Sequence, residues 1–383
     1  MNAVMLSDLW RRWLFRGVAL SASVAIPLAA AEAYYRVTAV VAPRVPSGAA
    51  ICGDCAYIYE LNLKNPNVGP QGLRDREFSL VPPEGTFRMM VLGDSLPYGP
   101  GISRDATFPK KLEWRLNGPF GKVEVLNTGV TGYNTYNERQ WWLGRGRGFH
   151  PRVVIVSFCL NDVADPLLHW ALAADATGSL PGDRIPREAI PNLAYHKNHA
   201  IPELRRLIAE RRSRTTRLLQ MSLFYRRVVA PLLVRMPDAE ATVEGKRFPT
   251  YLTGEDTLGI DVLMDYESVE WRWLRDQYDK LIGEIRREGA DVVVLVNPVQ
   301  YQLAPDYPFF PQRLFDRYCQ ERGIHCLDVM PQLRAHGGEK LFQGRKRNIL
   351  DIWHYTTEGH DVVAQALAAY LEEQKLLPPR VGR

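Results

Sequence analysis

The chain of 383 residues lacks most of the features that would assign it to a specialised class. Its five cysteines are too few for a disulfide scaffold, and no paired Cys/His spacing indicates a zinc finger. The 48 Lys and Arg residues against 43 Asp and Glu leave a charge of only +5, and no run of like charge indicates a nucleic-acid partner. Repeats, low-complexity tracts, and Walker, Rossmann or metal-binding helix patterns are also missing. What remains is best interpreted as a globular enzyme.

The first feature that is present is a charge-free apolar stretch near the N-terminus, from Gly17 to Ala31. Extended to residues 14–35, it is long enough for a membrane span, which needs about 20 residues. Since basic residues that precede a span stay inside, we expect residues 1–13 to be cytoplasmic and the main domain to be extracytoplasmic, on the periplasmic or cell-surface side. The alternative is a cleaved signal peptide, because Ala31-Glu32-Ala33 fits a small-x-small cleavage site. Both interpretations predict export.

Beyond this segment, residues 36–85 are rich in proline and glycine, which indicates a linker that leads into a domain at 86–383. Short apolar runs then alternate with helical patterns, including helices at about 107–116 and 357–373. The strand candidates are Arg88–Leu92, Val123–Leu126, Val153–Phe158, Asp291–Val296 and His325–Val329. This alternation predicts an α/β fold, a three-layer sandwich around a five-stranded parallel sheet.

The segment between the third and fourth strand candidates, at about residues 163–287, is far longer than one crossover helix requires. We expect a mainly helical, cap-like insertion over the carboxyl edge of the sheet, where it would supply substrate specificity. Residues 203–235 within it carry nine arginines against two glutamates. Two interpretations of this stretch stay open, a solvated basic face and a surface that contacts the membrane.

A serine with a usable base is the main chemical signal. Ser95 follows the first strand through Gly93, at a sharp turn that exposes a hydroxyl at the carboxyl edge of the sheet. A serine hydroxyl is a weak nucleophile and needs a base to accept its proton. His354 suits this role, because Asp351 lies three residues before it and can fix the tautomer of the ring.

Acyl transfer also needs hydrogen-bond donors where negative charge develops on the substrate oxygen. After the second strand, Gly129 and Gly132 each offer a backbone amide that a substrate can approach closely. After the third strand, Asn161 offers a side-chain amide. All of these residues follow strand ends, so they belong to the same edge of the sheet as Ser95.

The residues described above fall into four blocks of sequence. In this order, the blocks resemble the SGNH (GDSL) hydrolase superfamily over about residues 86–375, without most of the insertion. The wider phrases GDSLPYGPGI and TFPKKLE resemble a bacterial, often membrane-tethered, branch of it. The blocks are Gly93-Asp94-Ser95, Asn127 to Gly132, Asn161-Asp162 and Asp351-x-x-His354.

The resemblance implies a flavodoxin-like fold with Ser95 as nucleophile, and Asp351 and His354 as the rest of the triad. It also implies an oxyanion hole made of the Ser95 amide, the Gly132 amide and the Asn161 side chain. One position departs from the family pattern, since Cys159 stands where the third block usually has glycine. We expect Cys159 to be a small residue of the pocket wall.

Together these observations predict a carboxylic ester hydrolase at the cell envelope that acts on O-acetyl or short acyl groups of carbohydrate, without cofactor or metal. Its expected partners are an ester substrate, an acylated glycan or lipid, and the membrane through the N-terminal segment. An O-acetyltransferase or a lipid esterase on the same triad remains an alternative. A non-catalytic polysaccharide-binding or assembly protein that keeps the fold is another.

The remaining candidates have structural interpretations. Asp94 is expected to brace the turn before Ser95, and His360 to pack near the start of the last helix. Trp353 fits the pocket and the core equally well. Two cysteine pairs are candidates for disulfides in an exported protein, Cys52 with Cys55 and Cys319 with Cys326.

Overall fold

In the computed structural model, the predicted α/β fold is confirmed. The central sheet consists of β1 (Thr86–Gly93), β2 (Lys122–Asn127), β3 (Val153–Phe158), β4 (Asp291–Val296) and β5 (His325–Asp328). The structure describes residues 3–38, 49–51, 59–162, 222, 224–225, 239–243, 246–250, 252–253, 256–257, 266–305, 307, 310–346 and 349–382.

The strands of the sheet lie in the order β2-β1-β3-β4-β5, and all neighbouring pairs are parallel. The chain moves outward from β1 to β2, and then returns to place β3 on the other side of β1. Ligands of such flavodoxin-like sheets bind where the direction of winding reverses, at the carboxyl ends of the strands. The fold therefore predicts a site between the ends of β1 and β3.

Helices cover both faces of the sheet. The α-helices are α1 (Ala3–Thr38), α2 (Ser95–Tyr98), α3 (Phe108–Leu116), α4 (Thr135–Gly144), α5 (Val269–Arg287), α6 (Phe310–Arg322), α7 (Met330–His336) and α8 (Thr357–Glu373). Single 3₁₀ turns occur at Arg104–Ala106, Gly146–Phe149, Gln300–Leu303 and Gly338–Leu341.

The alternation of side chains along β1 separates two apolar layers. Met90 and Leu92 pack with buried residues of α4, α5 and α6, whereas Met89 and Val91 pack with those of α3, α7 and α8. Because both faces of the strand are buried, a continuous apolar run is what the sequence needs there. The three-layer arrangement follows from this division.

Other strands form antiparallel pairs outside the sheet. The pair β6 (Phe342–Lys346) and β7 (Ile349–Tyr355) leads directly into α8 and contributes to the site described below. Three shorter pairs are Ala49–Ile51 with Tyr59–Leu61, Ala239–Val243 with Lys246–Thr250, and Leu252–Thr253 with Asp256–Thr257.

Helix α5 covers the sheet between β3 and β4. Ser268 caps its start, since the side chain accepts from the Trp271 amide at 3.2 Å. Its buried apolar residues follow helical spacing, and they are Trp271, Leu274, Tyr278, Leu281, Ile282 and Ile285. This helix forms the last part of the range predicted as an insertion, at about 163–287. Most of the rest of that range, including nearly all of 203–235, lies outside the described residues.

The N-terminal helix α1 is the candidate membrane segment. Residues Phe15–Tyr34 form a window of 20 residues with a mean hydropathy of 1.4, and none of that window is buried. Glu32 near its end accepts from Arg36 at 2.8 Å, and also from the Ser222 hydroxyl at 2.8 Å and the Phe224 amide at 3.0 Å. By length and composition, this apolar helix suits a signal anchor or a signal sequence.

Residues 59–85, which we name the lead-in segment, pack against the sheet layers. Leu61, Leu73 and Phe78 are buried in the same cluster as Trp141 and Trp142 of α4. The second half of the range predicted as a linker thus contributes apolar residues to the core.

The cysteine pairs remain predictions. Cys319 on α6 and Cys326 on β5 belong to one apolar cluster, and both are free thiols in the structure. Cys52 and Cys55 lie outside the described residues.

Candidate active site

The turn between β1 and α2 places Ser95 at the carboxyl edge of the sheet. Asp94 caps α2, because its Oδ1 accepts from the Leu96 amide at 2.9 Å. Gly93 permits the turn, since a Cβ at this position would lie 2.6 Å from Cγ of Pro97 and 2.9 Å from Cβ of Ser157. The chain therefore bends directly after the strand, and Ser95 becomes the first residue of a one-turn helix.

Strand β7 brings the predicted acid and base to this turn. His354 Nε2 lies 2.8 Å from Ser95 Oγ, and His354 Nδ1 lies 2.8 Å from Asp351 Oδ2. Asp351 Oδ1 accepts from the amides of Trp353 and His354, at 3.2 and 3.0 Å. The side chains of Asp351 and His354 are each about one fifth exposed, so the chain of hydrogen bonds is partly accessible to solvent.

The charge of Asp351 suits this arrangement. Burial alone would raise the pKa of its carboxyl group. The hydrogen bond and electrostatic interaction with His354, together with the hydrogen bonds from two backbone amides, outweigh burial, so the pKa lies below its usual value. The carboxylate is therefore ionised at neutral pH and accepts from Nδ1. Nε2 is then left to accept a proton from Ser95.

The residues predicted to stabilise an oxyanion lie around the same edge. Gly132 has a φ of +79°, in the left-handed region that favours glycine, in the turn before α4. The amide of Gly129 is already engaged, since it donates to Asn127 Oδ1 at 3.1 Å. Asn161 follows β3 and interacts with the carboxyl group of Asp94 in the turn before Ser95. Of the two glycines, Gly132 is thus the better donor candidate.

Cys159 is buried and packs with the layer of α3 and α8. Burial and the negative charges of Asp94 and Asp162 raise the pKa of its thiol well above the usual value, so it stays protonated. Its backbone amide donates to Asp162 Oδ2 at 3.3 Å. A protonated thiol is a poor nucleophile, and the expected place of Cys159 in the pocket wall stays a prediction.

His360 is a packing residue of α8. It is 1% exposed, its Nδ1 accepts from the Phe108 amide at 3.1 Å, and its ring contacts those of Phe108 and Tyr355. Burial, with the nearby charges of His354, Arg74 and Lys111, lowers its pKa to about 3. The ring is therefore neutral at physiological pH. Trp353 is partly buried and contacts both apolar layers.

Two buried residues were not identified from the sequence, one in contact with the loop after Ser95 and one that interacts with Asp94. Arg74 of the lead-in segment donates to carbonyl groups of the loop after α2, and its position there depends on long-range packing. Glu138 on α4 is 1% exposed. The spacing of Glu138 with Trp141 and Trp142 places it on the apolar face of the helix, which is the signal that would have identified it.

No metal-binding group of three or more His, Cys, Asp or Glu side chains exists among the described residues.

The family model of the GDSL-like Lipase/Acylhydrolase family matches residues 91–362. No curated protein matches the chain. Among solved structures, TesA is 12% identical, and the match covers 75% of this chain and 98% of that one with a TM-score of 0.39. The psychrotrophic esterase EstA from Pseudoalteromonas sp. is 9% identical over 76% and 98%, with a TM-score of 0.38. The acetyl xylan esterase AlAXEase is 9% identical over 74% and 98%, with a TM-score of 0.37.

The family match includes both Ser95 and His354 and spans well over half of the chain. The protein belongs to the GDSL-like lipase/acylhydrolase family, within the SGNH hydrolase superfamily, and is a hydrolase of ester bonds.

Proposed function

We propose that the protein is a serine esterase that hydrolyses O-acetyl or short acyl esters of carbohydrate at the cell envelope. The observation that carries the proposal is the continuous hydrogen-bond chain from Ser95 Oγ through His354 to Asp351, with both links at 2.8 Å. Such a chain activates a serine hydroxyl for attack on a carbonyl carbon.

In the proposed reaction, His354 Nε2 takes the proton of Ser95 as Oγ attacks the ester carbonyl. The amides of Ser95 and Gly132 and the side chain of Asn161 donate to the oxyanion that develops. His354 then gives the proton to the leaving alcohol, and an acyl group remains on Ser95. Water, activated by the same histidine, releases the acid, while Asp351 stabilises the imidazolium form in both steps.

The proposed location follows from the apolar helix α1 and the arginines that precede its apolar window. With residues 1–13 in the cytoplasm, the hydrolase domain would be extracytoplasmic, either anchored to the inner membrane or released after cleavage. The esters expected in that compartment are acylated glycans and lipids, and the assignment of a carbohydrate ester depends on location alone.

A lipid ester is the second candidate substrate, and one contact favours it. Ser222 and Phe224, within the arginine-rich range 203–235, donate to Glu32 at the end of the apolar helix. Ser222 and Phe224 therefore lie beside the segment that would enter the membrane. The arginines that the sequence carries around these two residues would attract anionic lipids.

The test is to treat the full-length protein in detergent with a fluorophosphonate probe, and to map the adduct by mass spectrometry. We expect labelling of Ser95, and loss of labelling in Ser95→Ala and His354→Ala. Ser103→Ala is a matched control. Ser103 is an exposed serine in the loop after α2, and its side chain makes no capping hydrogen bond to the 3₁₀ turn that follows it.

Substrate assays complete the test. Release of acetate from acetylated glycans, compared with hydrolysis of acyl lipids in anionic vesicles, would distinguish the two candidate substrates. A folded protein that is neither labelled nor active on p-nitrophenyl acetate would contradict the proposal and favour a binding protein that keeps the fold.

A further inference from the structure

Arg74 is a buried cation of the lead-in segment, at 4% exposure, and it contacts the loop that carries Ser95. Its guanidinium group donates to three carbonyl oxygens, those of Tyr98, Gly99 (2.6 Å) and Ile102 (2.5 Å). It also lies over the ring of Tyr98, with Cζ at 4.5 Å from the centroid. All three acceptors follow Ser95 closely along the chain.

The Tyr98 and Gly99 carbonyl groups, at the end of α2 and just beyond it, need a donor from outside the helix. A helix of four residues has only one turn, and the carbonyl groups at the C-terminus of a helix lack partners within it. Within the turn, the Gly99 amide donates to the Ser95 carbonyl at 2.8 Å. Arg74 satisfies the carbonyl groups that come next, and its positive charge suits the negative end of the turn.

The planar guanidinium group is well suited to this task. It presents several N–H donors in fixed directions, whereas a lysine ammonium is a single flexible point of charge. One buried arginine therefore holds three carbonyl groups in a defined relation to each other. A lysine at the same position would reach only some of them.

The next residue along the chain holds α2 from a second direction. Asp75 Oδ2 accepts from Lys110 Nζ at 2.9 Å and from the Asn127 amide at 3.0 Å. The Asn127 side chain then donates to the Pro97 carbonyl at 2.7 Å. Two consecutive residues of the lead-in segment thus connect to successive carbonyl groups of the same turn.

We propose that Arg74 is a positioning residue for Ser95, so that the lead-in segment acts in catalysis as well as connecting the domain to α1. Because α2 has a single turn, a shift of its last carbonyl groups moves its first residue, and with it Oγ relative to His354 Nε2. A misplacement of about 1 Å in an active site can cost about 10²-fold in rate. The proposal rests on the nucleophilic role proposed for Ser95.

The test compares Arg74→Lys and Arg74→Ala in the full-length protein with p-nitrophenyl acetate as substrate. We expect kcat to fall about 30- to 100-fold in Arg74→Ala with less than about a threefold change in KM, since the substrate contacts are untouched. Arg74→Lys should recover only a small part of the loss. Added ethylguanidinium should raise the rate of Arg74→Ala at least about threefold, by refilling the space between the carbonyl groups.

Arg76→Ala is the matched control. Arg76 lies two residues further along the same segment, is 43% exposed, and pairs with Glu113 at 2.7 Å. We expect its kcat to stay within about twofold of the wild type, with no response to ethylguanidinium.

Hydrogen exchange gives a measurement that does not depend on activity. In Arg74→Lys the amides of residues 96–103 should exchange faster than in the wild type, while those of β1 and β3 remain protected. Wild-type kcat in a folded Arg74→Ala, or a loss of activity without faster exchange in this loop, would overturn the proposal. An inactive wild-type protein would instead refute the proposed function, and the exchange experiment would still decide whether Arg74 holds the loop.

Discussion

The two ends of the central sheet differ in how completely their buried charged side chains are hydrogen-bonded. At the amino end, Arg88 of β1 is 0% exposed and each of its three guanidinium nitrogens donates a hydrogen bond. It donates to Glu124 Oε2 of β2 at 2.9 and 2.7 Å, and to the carbonyl oxygens of Ser79, Leu80 and Phe149 at 2.8 to 2.9 Å.

At the carboxyl end, two buried carboxyl groups near Ser95 are incompletely satisfied. Asp94 and Glu138 are each 1% exposed. Within the part of the chain that the structure describes, neither oxygen of Glu138 has a hydrogen-bond partner. Burial, and then the charge of Asp94, raise the pKa of Glu138 well above its usual value, and burial also raises the pKa of Asp94.

We interpret this difference as one between polar residues that stabilise the fold, such as Arg88, and polar residues at the candidate active site, such as Asp94 and Glu138. A buried group with all its partners stabilises one conformation, whereas a buried group without them costs free energy. The costly groups are Asp94, which directly precedes Ser95, and Glu138, whose carboxyl group interacts electrostatically with that of Asp94. Departures from full polar satisfaction are expected at functional sites more than elsewhere.

The largest expected effect is on activity at the carboxyl end. His354→Ala should lower kcat/KM for p-nitrophenyl acetate by about 10⁴-fold or more, because Ser95 loses its proposed base. Its melting temperature should change by no more than about 2 °C, since the ring is partly exposed. His336→Ala, at an exposed histidine of α7, is the control. Residual activity of His354→Ala within tenfold of the wild type would contradict the role of base proposed for His354.

The second effect is on stability at the amino end. Arg88→Met should lower the free energy of unfolding by about 3–5 kcal/mol, because it leaves Glu124 buried without its partner. Urea denaturation measures this, and kcat of the folded variant should remain within about threefold of the wild type. The double variant Arg88→Met/Glu124→Gln should recover at least about 1 kcal/mol. A loss below about 1 kcal/mol would show that the pair is not a structural contact.

The smallest effect is the pH dependence of stability caused by Glu138. Since its folded pKa is raised, its contribution to stability is present below the unfolded pKa and is lost as the pH rises toward the folded value. Glu138→Gln keeps the shape and removes this loss. We expect the variant to be more stable than the wild type by about 1 kcal/mol at pH 8, with no advantage at pH 4.

Thermal unfolding at the two pH values provides the measurement. Glu339→Gln, at an exposed glutamate, should show no such dependence. A constant difference between Glu138→Gln and the wild type across this range would mean that Glu138 is ionised in the folded protein.

The sequence predicts the sheet well because its strands are apolar runs buried on both faces, and the observed bounds differ from the predicted ones by two residues or fewer. Asp351 and His354 can be identified as candidates because the proposed acid and base are close along the chain. The nucleophile block came from the strand-turn pattern at Ser95. The resemblance to a known family then connected elements that are far apart in sequence.

Other features depend on packing that no local pattern records. The contacts of Arg74 join a proline- and glycine-rich segment to a loop more than twenty residues away. The apolar periodicity of α5 would be the same in a helix of the predicted cap-like insertion. Its residues alone therefore do not show that it packs against the sheet. The burial of Glu138 becomes informative only when the partners of its oxygens are known.

The packing of the lead-in segment also limits how far the chain can be shortened from its N-terminus without loss of activity. Leu61, Leu73 and Phe78 lie in the core, so a protein truncated at the first strand of the sheet would expose the surfaces that they cover. Such a truncation would keep the entire proposed triad and yet lack Arg74 and Asp75. We therefore expect proteolysis ahead of β1 to inactivate the enzyme, although all three residues of that triad remain in the chain.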